Sequence, residues 1–125
     1  MRNKFSGYLL VSDMDATLLK SDHSISDKNR EAISYFMDNG GLFTVATGRM
    51  VDAVRAYLPR MRINAPAVLH NGAKLYDYGT ETVMFERFIE EERKQAVRQA
   101  YEDFPEVGFE VYSGEIGRAS CRERV

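Results

Sequence analysis

The chain has 125 residues, which suits one small domain, and its 44% hydrophobic and 29% charged content is that of a soluble globular protein and argues against disorder. A net charge of −2 gives no electrostatic case for a nucleic-acid partner. No apolar run approaches a membrane span and no signal peptide precedes the first strand, so no membrane partner is expected and the expected location is cytoplasmic.

The first informative stretch is GYLLVSDMDATLL, Gly7 to Leu19. The apolar run Tyr8-Leu9-Leu10-Val11 predicts a strand buried on both faces, as in a parallel sheet covered by helices. It stops at Asp13 and Asp15, which places two carboxylates at the carboxyl edge of the sheet, where open α/β folds bind ligands. On an extended strand that spacing puts both on one face, where they repel. A hard cation such as Mg²⁺ relieves that repulsion. Taken alone, a DxD is more often an acidic turn.

SDHSIS, from Ser21 to Ser26, predicts a polar loop in which His23 is a solvated residue. Ser26 is a candidate N-cap for a helix starting at Asp27, with Ala32, Ile33, Phe36 and Met37 as its apolar stripe. Asn39-Gly40-Gly41 ends it. LFTVA, Leu42 to Ala46, predicts the second buried strand. It runs into Thr47-Gly48-Arg49, where a hydroxyl, backbone N–H groups and an arginine suit an anion. Met50 to Leu58 reads as a short helix closed by Pro59, and Arg55, Arg60 and Arg62 as a solvated basic face. Ala67 to His70 predicts a third strand, ending in Asn71-Gly72-Ala73, with His70 packed or hydrogen-bonded beside it. Lys74–Asp77 and Thr82–Phe88 predict a hairpin around Tyr78-Gly79-Thr80. Glu90 to Phe104 predicts an amphipathic helix with Ile89, Ala96, Val97, Ala100, Tyr101 and Phe104 inward. Val107, Phe109 and Val111 alternate as in a strand. From Glu115 the string EIGRASCRERV shows no helical or strand periodicity; it contains the single cysteine, Cys121, which cannot support a disulfide framework.

DMDAT after an apolar strand resembles the first motif of the haloacid dehalogenase superfamily, DxDx[TV]. VATGR resembles its second motif in the Cof-type branch, and NGA after a strand resembles the same branch. The resemblance covers nearly all of residues 4–114. It implies that Asp13 is a nucleophile forming an aspartyl-phosphate and that Asp15 is the general acid/base. Mg²⁺ would be held by Asp13 and Asp15, through the carboxylate of the first and the main-chain carbonyl of the second. Thr17 would steady the loop by hydrogen bonding, Thr47, Gly48 and Arg49 would meet the phosphoryl group, and Asn71 would lie at the site's edge. The commonest version of the first motif has Gly where this chain has Ala16; at positive φ an alanine there costs about 1 kcal/mol.

The fold expected from the resemblance is α/β, a three-layer Rossmann-like core. Residues 1–88 would be its N-terminal half and residues 89–114 the start of an inserted α/β cap. Residues 115–125 resemble a translated sequencing-adapter oligonucleotide and are expected to be a non-native read-through tail, which would make the chain an N-terminal fragment. The lysine and GDxxND-like motifs of the family are missing, so the fragment itself is expected to be inactive. The function expected of the whole protein is Mg²⁺-dependent hydrolysis of small phosphorylated metabolites, sugar phosphates above all. A phosphomutase of the same superfamily and a non-catalytic phosphate-binding module are the alternatives; a receiver-type signalling domain ranks last, because its acceptor is not the first carboxylate of a DxD.

Overall fold

A computed structural model describes residues 3–113 and 118–121. The chain divides into two compact units between Glu86 and Arg87.

In the first unit β1, Leu9–Ser12, pairs in parallel with β2, Leu42–Val45, in the register Leu9↔Leu42 to Ser12↔Val45. The helix α1, Asp27–Asp38, connects them and packs against β2. Its start is set by Ser26, whose Oγ accepts from the Asn29 amide at 3.1 Å, a cap worth about 1 kcal/mol. Its Ile33 is buried, with Phe36 and Met37 half-buried beside the core, while Ala32 stays exposed.

A parallel bridge, Ala46↔Val68, carries the sheet on to β3, Ala67–Leu69. The strands β4, Lys74–Asp77, and β5, Thr82–Glu86, then follow in antiparallel order. Asp77 closes the β4–β5 turn by accepting from the Gly79 amide at 2.8 Å. The sheet is therefore mixed, with β1, β2 and β3 parallel side by side and their carboxyl ends on one edge. The core beneath it holds Phe43, Val45, Met14, Val54, Met61, Ala67 and Leu69, each at most 2% exposed.

The helix α2 is shorter than the sequence suggests, Val51–Arg55. Beyond it Tyr57 bonds to Val54 and Leu58 to Arg55, each three residues back, so the chain tightens into turns before Pro59. Arg55 does not simply point to water: it pairs with Glu81 at 2.9 Å and lies over the rings of Tyr76 and Tyr78.

One expectation is overturned. The strand β1 is not covered on both faces: exposure runs from 45% at Val11 to 58% at Leu9. β1 has β2 on one side only, and its other edge carries no partner among the described residues. A groove of about 440 Å³ opens beside it, lined by Leu10, Val11, Phe36 and Phe43 among others.

The second unit has α3, Glu91–Asp103, and an antiparallel ribbon of β6, Glu110–Ser113, with β7, Arg118–Cys121. The ribbon starts later than the alternation from Val107 suggests, and β7 forms where no strand was expected. Nor does α3 bury the stripe expected of it: Val97, Tyr101 and Phe104 are 37%, 40% and 53% exposed. One helix and a two-stranded ribbon offer too little surface to cover that face. Tyr101 and Phe109 pair edge to face there, 5.6 Å between centroids. No helix of the described residues is long and apolar enough to cross a membrane.

Candidate active site

Asp13 follows the last residue of β1 and caps the wide turn Met14–Leu18. Its Oδ1 accepts from the Met14 amide at 2.7 Å and its Oδ2 from the Thr17 hydroxyl at 3.4 Å. The Thr17 hydroxyl thus reaches the first aspartate from one turn further on. The two carboxylates do not share a strand face as an extended chain would have them. The strand ends at Ser12, and the chain turns at Asp15 and Ala16, the latter at φ 58° and ψ 13°. That is the left-handed region, where glycine is at ease and alanine is not. Met14 and Leu18 point into the core and fix the turn from below, while both aspartates stay exposed.

Asp15 is gripped by Arg49. Nε donates to Oδ2 at 2.9 Å and Nη2 donates to Oδ1 at 2.7 Å, a fork-to-fork pair. The Arg49 hydrogen bonds above all hold the Asp15 carboxyl below its ordinary value; burial, the next effect in size, opposes them, and the charges of Arg49 and His23 add to the lowering. The same hydrogen bonds raise the Arg49 guanidinium above its ordinary value. His23 Nδ1 stands 3.9 Å from Asp15 Oδ1 on an exposed loop, itself at φ 62°.

The ends of β2 and β3 are laced together. The Thr47 amide donates to Val68 O at 2.9 Å, the Asn71 amide to Thr47 O at 3.1 Å, and the His70 amide to Arg49 O at 3.2 Å. The Thr47 hydroxyl accepts from the Arg49 amide at 3.1 Å, which curls the loop over the strand end. Gly48 allows the Asn71 side chain to lie close: a Cβ on it would stand 2.9 Å from Asn71 Oδ1, and that side chain would have to shift. His70 and Asn71 are both at positive φ, 50° and 54°, in a tight turn after β3. Burial first, then the charge of Lys74, lowers the His70 pKa, while Glu86 opposes them. Among the described residues, four of the five non-glycine residues at positive φ thus lie in the loops at this edge: Ala16, His23, His70 and Asn71. Such backbone strain is tolerated where function demands it.

The structure therefore joins the first motif to the second through Asp15 and Arg49, and the second to the third through Thr47, Gly48 and Asn71. It also shows two neighbours that the sequence did not single out. Tyr57 lies under Arg49, 5.3 Å from guanidinium carbon to ring centre. Lys74 is 3% exposed and pairs with Glu86 at 2.9 Å below the His70 turn. Neither belongs to a motif, and their positions follow from the turn after α2 and from the β4–β5 register.

Among the described residues no group of three or more His, Cys, Asp or Glu gathers as a metal site. The oxygens on offer to a hard cation are those of the Asp13–Asp15 turn. Both carboxylates are exposed, and carboxylate oxygen is the donor chemistry that Mg²⁺ takes.

Residues 10–117 match the family described as haloacid dehalogenase-like hydrolase. Over 104 residues the chain is 34% identical to a 5-amino-6-(5-phospho-D-ribitylamino)uracil phosphatase of Bacillus subtilis, covering 83% of this chain and 35% of the relative. It is 36% identical over 69 residues to an HMP-PP phosphatase of Yersinia enterocolitica, covering 55% of this chain and 25% of the relative. A solved haloacid dehalogenase-like hydrolase from B. subtilis superposes with a TM-score of 0.73 at 26% identity, over 85% of this chain and 36% of that one. The chain spans about a third or less of the length of these curated relatives.

Proposed function

Because the chain belongs to the haloacid dehalogenase-like hydrolase family, we propose that it is the N-terminal part of a Cof-type, Mg²⁺-dependent phosphatase acting on small phosphorylated metabolites. Sugar phosphates are the preferred class, in keeping with the phosphorylated ribityl group in the name of the B. subtilis relative. In this reading residues 1–88 belong to the catalytic core, residues 89–114 open its cap, and residues 115–125 are not native sequence. The catalytic activity belongs to the complete enzyme, the product of the uninterrupted gene.

The observation that carries the proposal is the meeting of three strand ends on one edge of the sheet, with Arg49 bound to Asp15 and Asn71 against Gly48. Asp13 attacks phosphorus in line with the leaving oxygen and becomes an aspartyl-phosphate. Asp15 gives the leaving oxygen a proton, then takes one from the water that hydrolyses the acyl-phosphate. The Thr47 hydroxyl and the Gly48 amide bind the phosphoryl oxygens, and Arg49 adds a positive charge beside them. Bound at the Asp13 carboxylate and the Asp15 carbonyl, Mg²⁺ would supply neutralisation of the phosphoryl charge. The pairing with Arg49 keeps Asp15 ionised in the resting site, so Arg49 must release it before Asp15 carries a proton.

The test is phosphate release by the complete enzyme with Mg²⁺ across a panel of phosphorylated metabolites. Asp13→Asn should abolish turnover, because an amide cannot form the acyl-phosphate. Asp15→Asn should still allow slow phosphorylation but little hydrolysis. Normal turnover of purified Asp13→Asn enzyme would sink the assignment, and an isomeric sugar phosphate in place of inorganic phosphate would make the enzyme a mutase.

A further inference from the structure

Arg49 is anchored at three points, one of which lies outside every motif in the sequence. Its amide donates to Thr47 Oγ1, its fork grips Asp15, and its guanidinium lies over the Tyr57 ring. Tyr57 stands in the turn after α2, half-buried and packed against the core. Its amide bonds to Val54 and its carbonyl accepts from the Arg60 and Met61 amides. The fold, and not Arg49, therefore holds the ring in place.

The edge of the guanidinium that best fits two phosphoryl oxygens, Nε with Nη2, is the edge occupied by Asp15. Arg49 can bind a phosphoryl group through that edge only by letting Asp15 go. When it does, the amide bond to Thr47 fixes its backbone alone, and the long side chain would regain its rotamer freedom. A ring face is a different kind of anchor from a hydrogen bond. It attracts the cation without fixing the direction of the N–H groups, so the fork can turn in its plane and stay seated.

We propose that Tyr57 is a positioning residue of this site: its ring seats the Arg49 guanidinium while the fork passes from Asp15 to the phosphoryl oxygens of a small phosphorylated metabolite. The inference rests on the phosphatase reading above. It gives Tyr57 a part in binding the phosphoryl group and none in the bond-breaking step.

The experiment is steady-state kinetics of the complete enzyme, with inorganic phosphate as a competitive inhibitor. Tyr57→Leu keeps apolar bulk against the core and removes the ring. It should raise KM and the phosphate inhibition constant together, about threefold to thirtyfold, the range spanned by a cation–ring contact, with kcat within about twofold. Tyr57→Phe keeps the ring and should stay within about twofold of wild type. In an Arg49→Ala background Tyr57→Leu should have no further effect on KM, a non-additivity that loss of packing would not produce. An unchanged KM in active Tyr57→Leu enzyme, a Tyr57→Phe defect as large as that of Leu, or a full Tyr57→Leu effect without Arg49 would each overturn the inference. A wild-type enzyme that released no phosphate would overturn the functional reading and this inference with it.

Discussion

Arg49 and Asp15, from loops after two different strands, meet through two parallel hydrogen bonds of 2.9 and 2.7 Å. The arginine side chain is 26% exposed and the aspartate 49%, so the pair sits at the rim of the sheet, within reach of solvent and of an entering ligand. A lysine cannot reproduce the fork, because an ammonium is a point charge. Arg49→Lys in the complete enzyme is therefore expected to lower kcat/KM for phosphorylated substrates by about tenfold, a loss of ~1.4 kcal/mol. Steady-state kinetics check it, and unchanged kcat/KM would show that the fork is not used on substrate.

Ala16, at φ 58°, carries a left-handed backbone that costs an L-residue about 1–2 kcal/mol. Glycine removes that cost but gives the unfolded chain about 0.5–1 kcal/mol more freedom. Ala16→Gly should thus lie between no change and about 1.5 kcal/mol of stabilisation, with turnover of the complete enzyme unchanged or raised. Thermal melts and kinetics test it, and a large loss of activity would show that alanine is preferred at this turn.

The positions of the three motifs were legible because each follows a short apolar run and breaks it with polar residues, Asp13, Thr47 and Asn71 among them. The helix cap at Ser26 and the hairpin around Gly79 were legible for the same reason, since each depends on neighbours in the chain. What could not be read depends on register and packing. That Arg49 turns back to Asp15, rather than out to solvent, follows from the pairing of Ser12 with Val45. That Tyr57 lies under Arg49 follows from the tight turn after α2. The apolar run Tyr8–Val11 records which surfaces a strand is suited to meet, and says nothing of what is packed there. The stripe on α3 misled in the same way, because a helix pattern assumes a partner to bury against.

His70 is held below its ordinary pKa of 6.5, first by burial and then by Lys74. A folded state that lowers a histidine pKa binds fewer protons than the unfolded chain between the two values, so stability rises with pH there. The contribution is fully present above the unfolded value of 6.5 and is lost as pH falls through the lower folded one. Melting temperatures measured from about pH 5 to about pH 8 should rise across this window. His70→Asn, which tolerates the positive φ, should flatten the rise; an equal slope in that variant would assign the effect to another group.

Lys74 is 3% exposed and opposite Glu86 across the β4–β5 ladder, with 2.9 Å between Nζ and Oε1. Lys74→Met leaves the Glu86 carboxylate without its cation and should cost about 3 kcal/mol, near the low end for a broken buried pair because Glu86 keeps some water. Replacing both, as Lys74→Met with Glu86→Leu, should recover most of that loss. Denaturant unfolding of the two variants decides it, and a double variant as unstable as the single one would refute the pairing argument.

The exposed apolar residues of β1, with Leu42 at 47%, form an uncovered surface along an open strand edge. These 125 residues expressed alone are expected to associate or melt without a sharp transition, and to show no Mg²⁺-dependent hydrolysis of p-nitrophenyl phosphate. A sharp, concentration-independent melt with turnover that disappears in Asp13→Asn would overturn this expectation.

The lacing between the ends of β2 and β3 consists of main-chain groups: Thr47 to Val68, Asn71 to Thr47 and His70 to Arg49. Every residue type except proline carries the amide and carbonyl that such stitches need. The frame at this edge therefore makes little demand on the side chains it displays. On the proposed phosphatase reading, substitutions at 49 and 71 would alter which ligands are recognised while the frame beneath them persists. A lineage inheriting such a site would then exchange one metabolite for another by point changes at the loop tips, without having to re-evolve the scaffold.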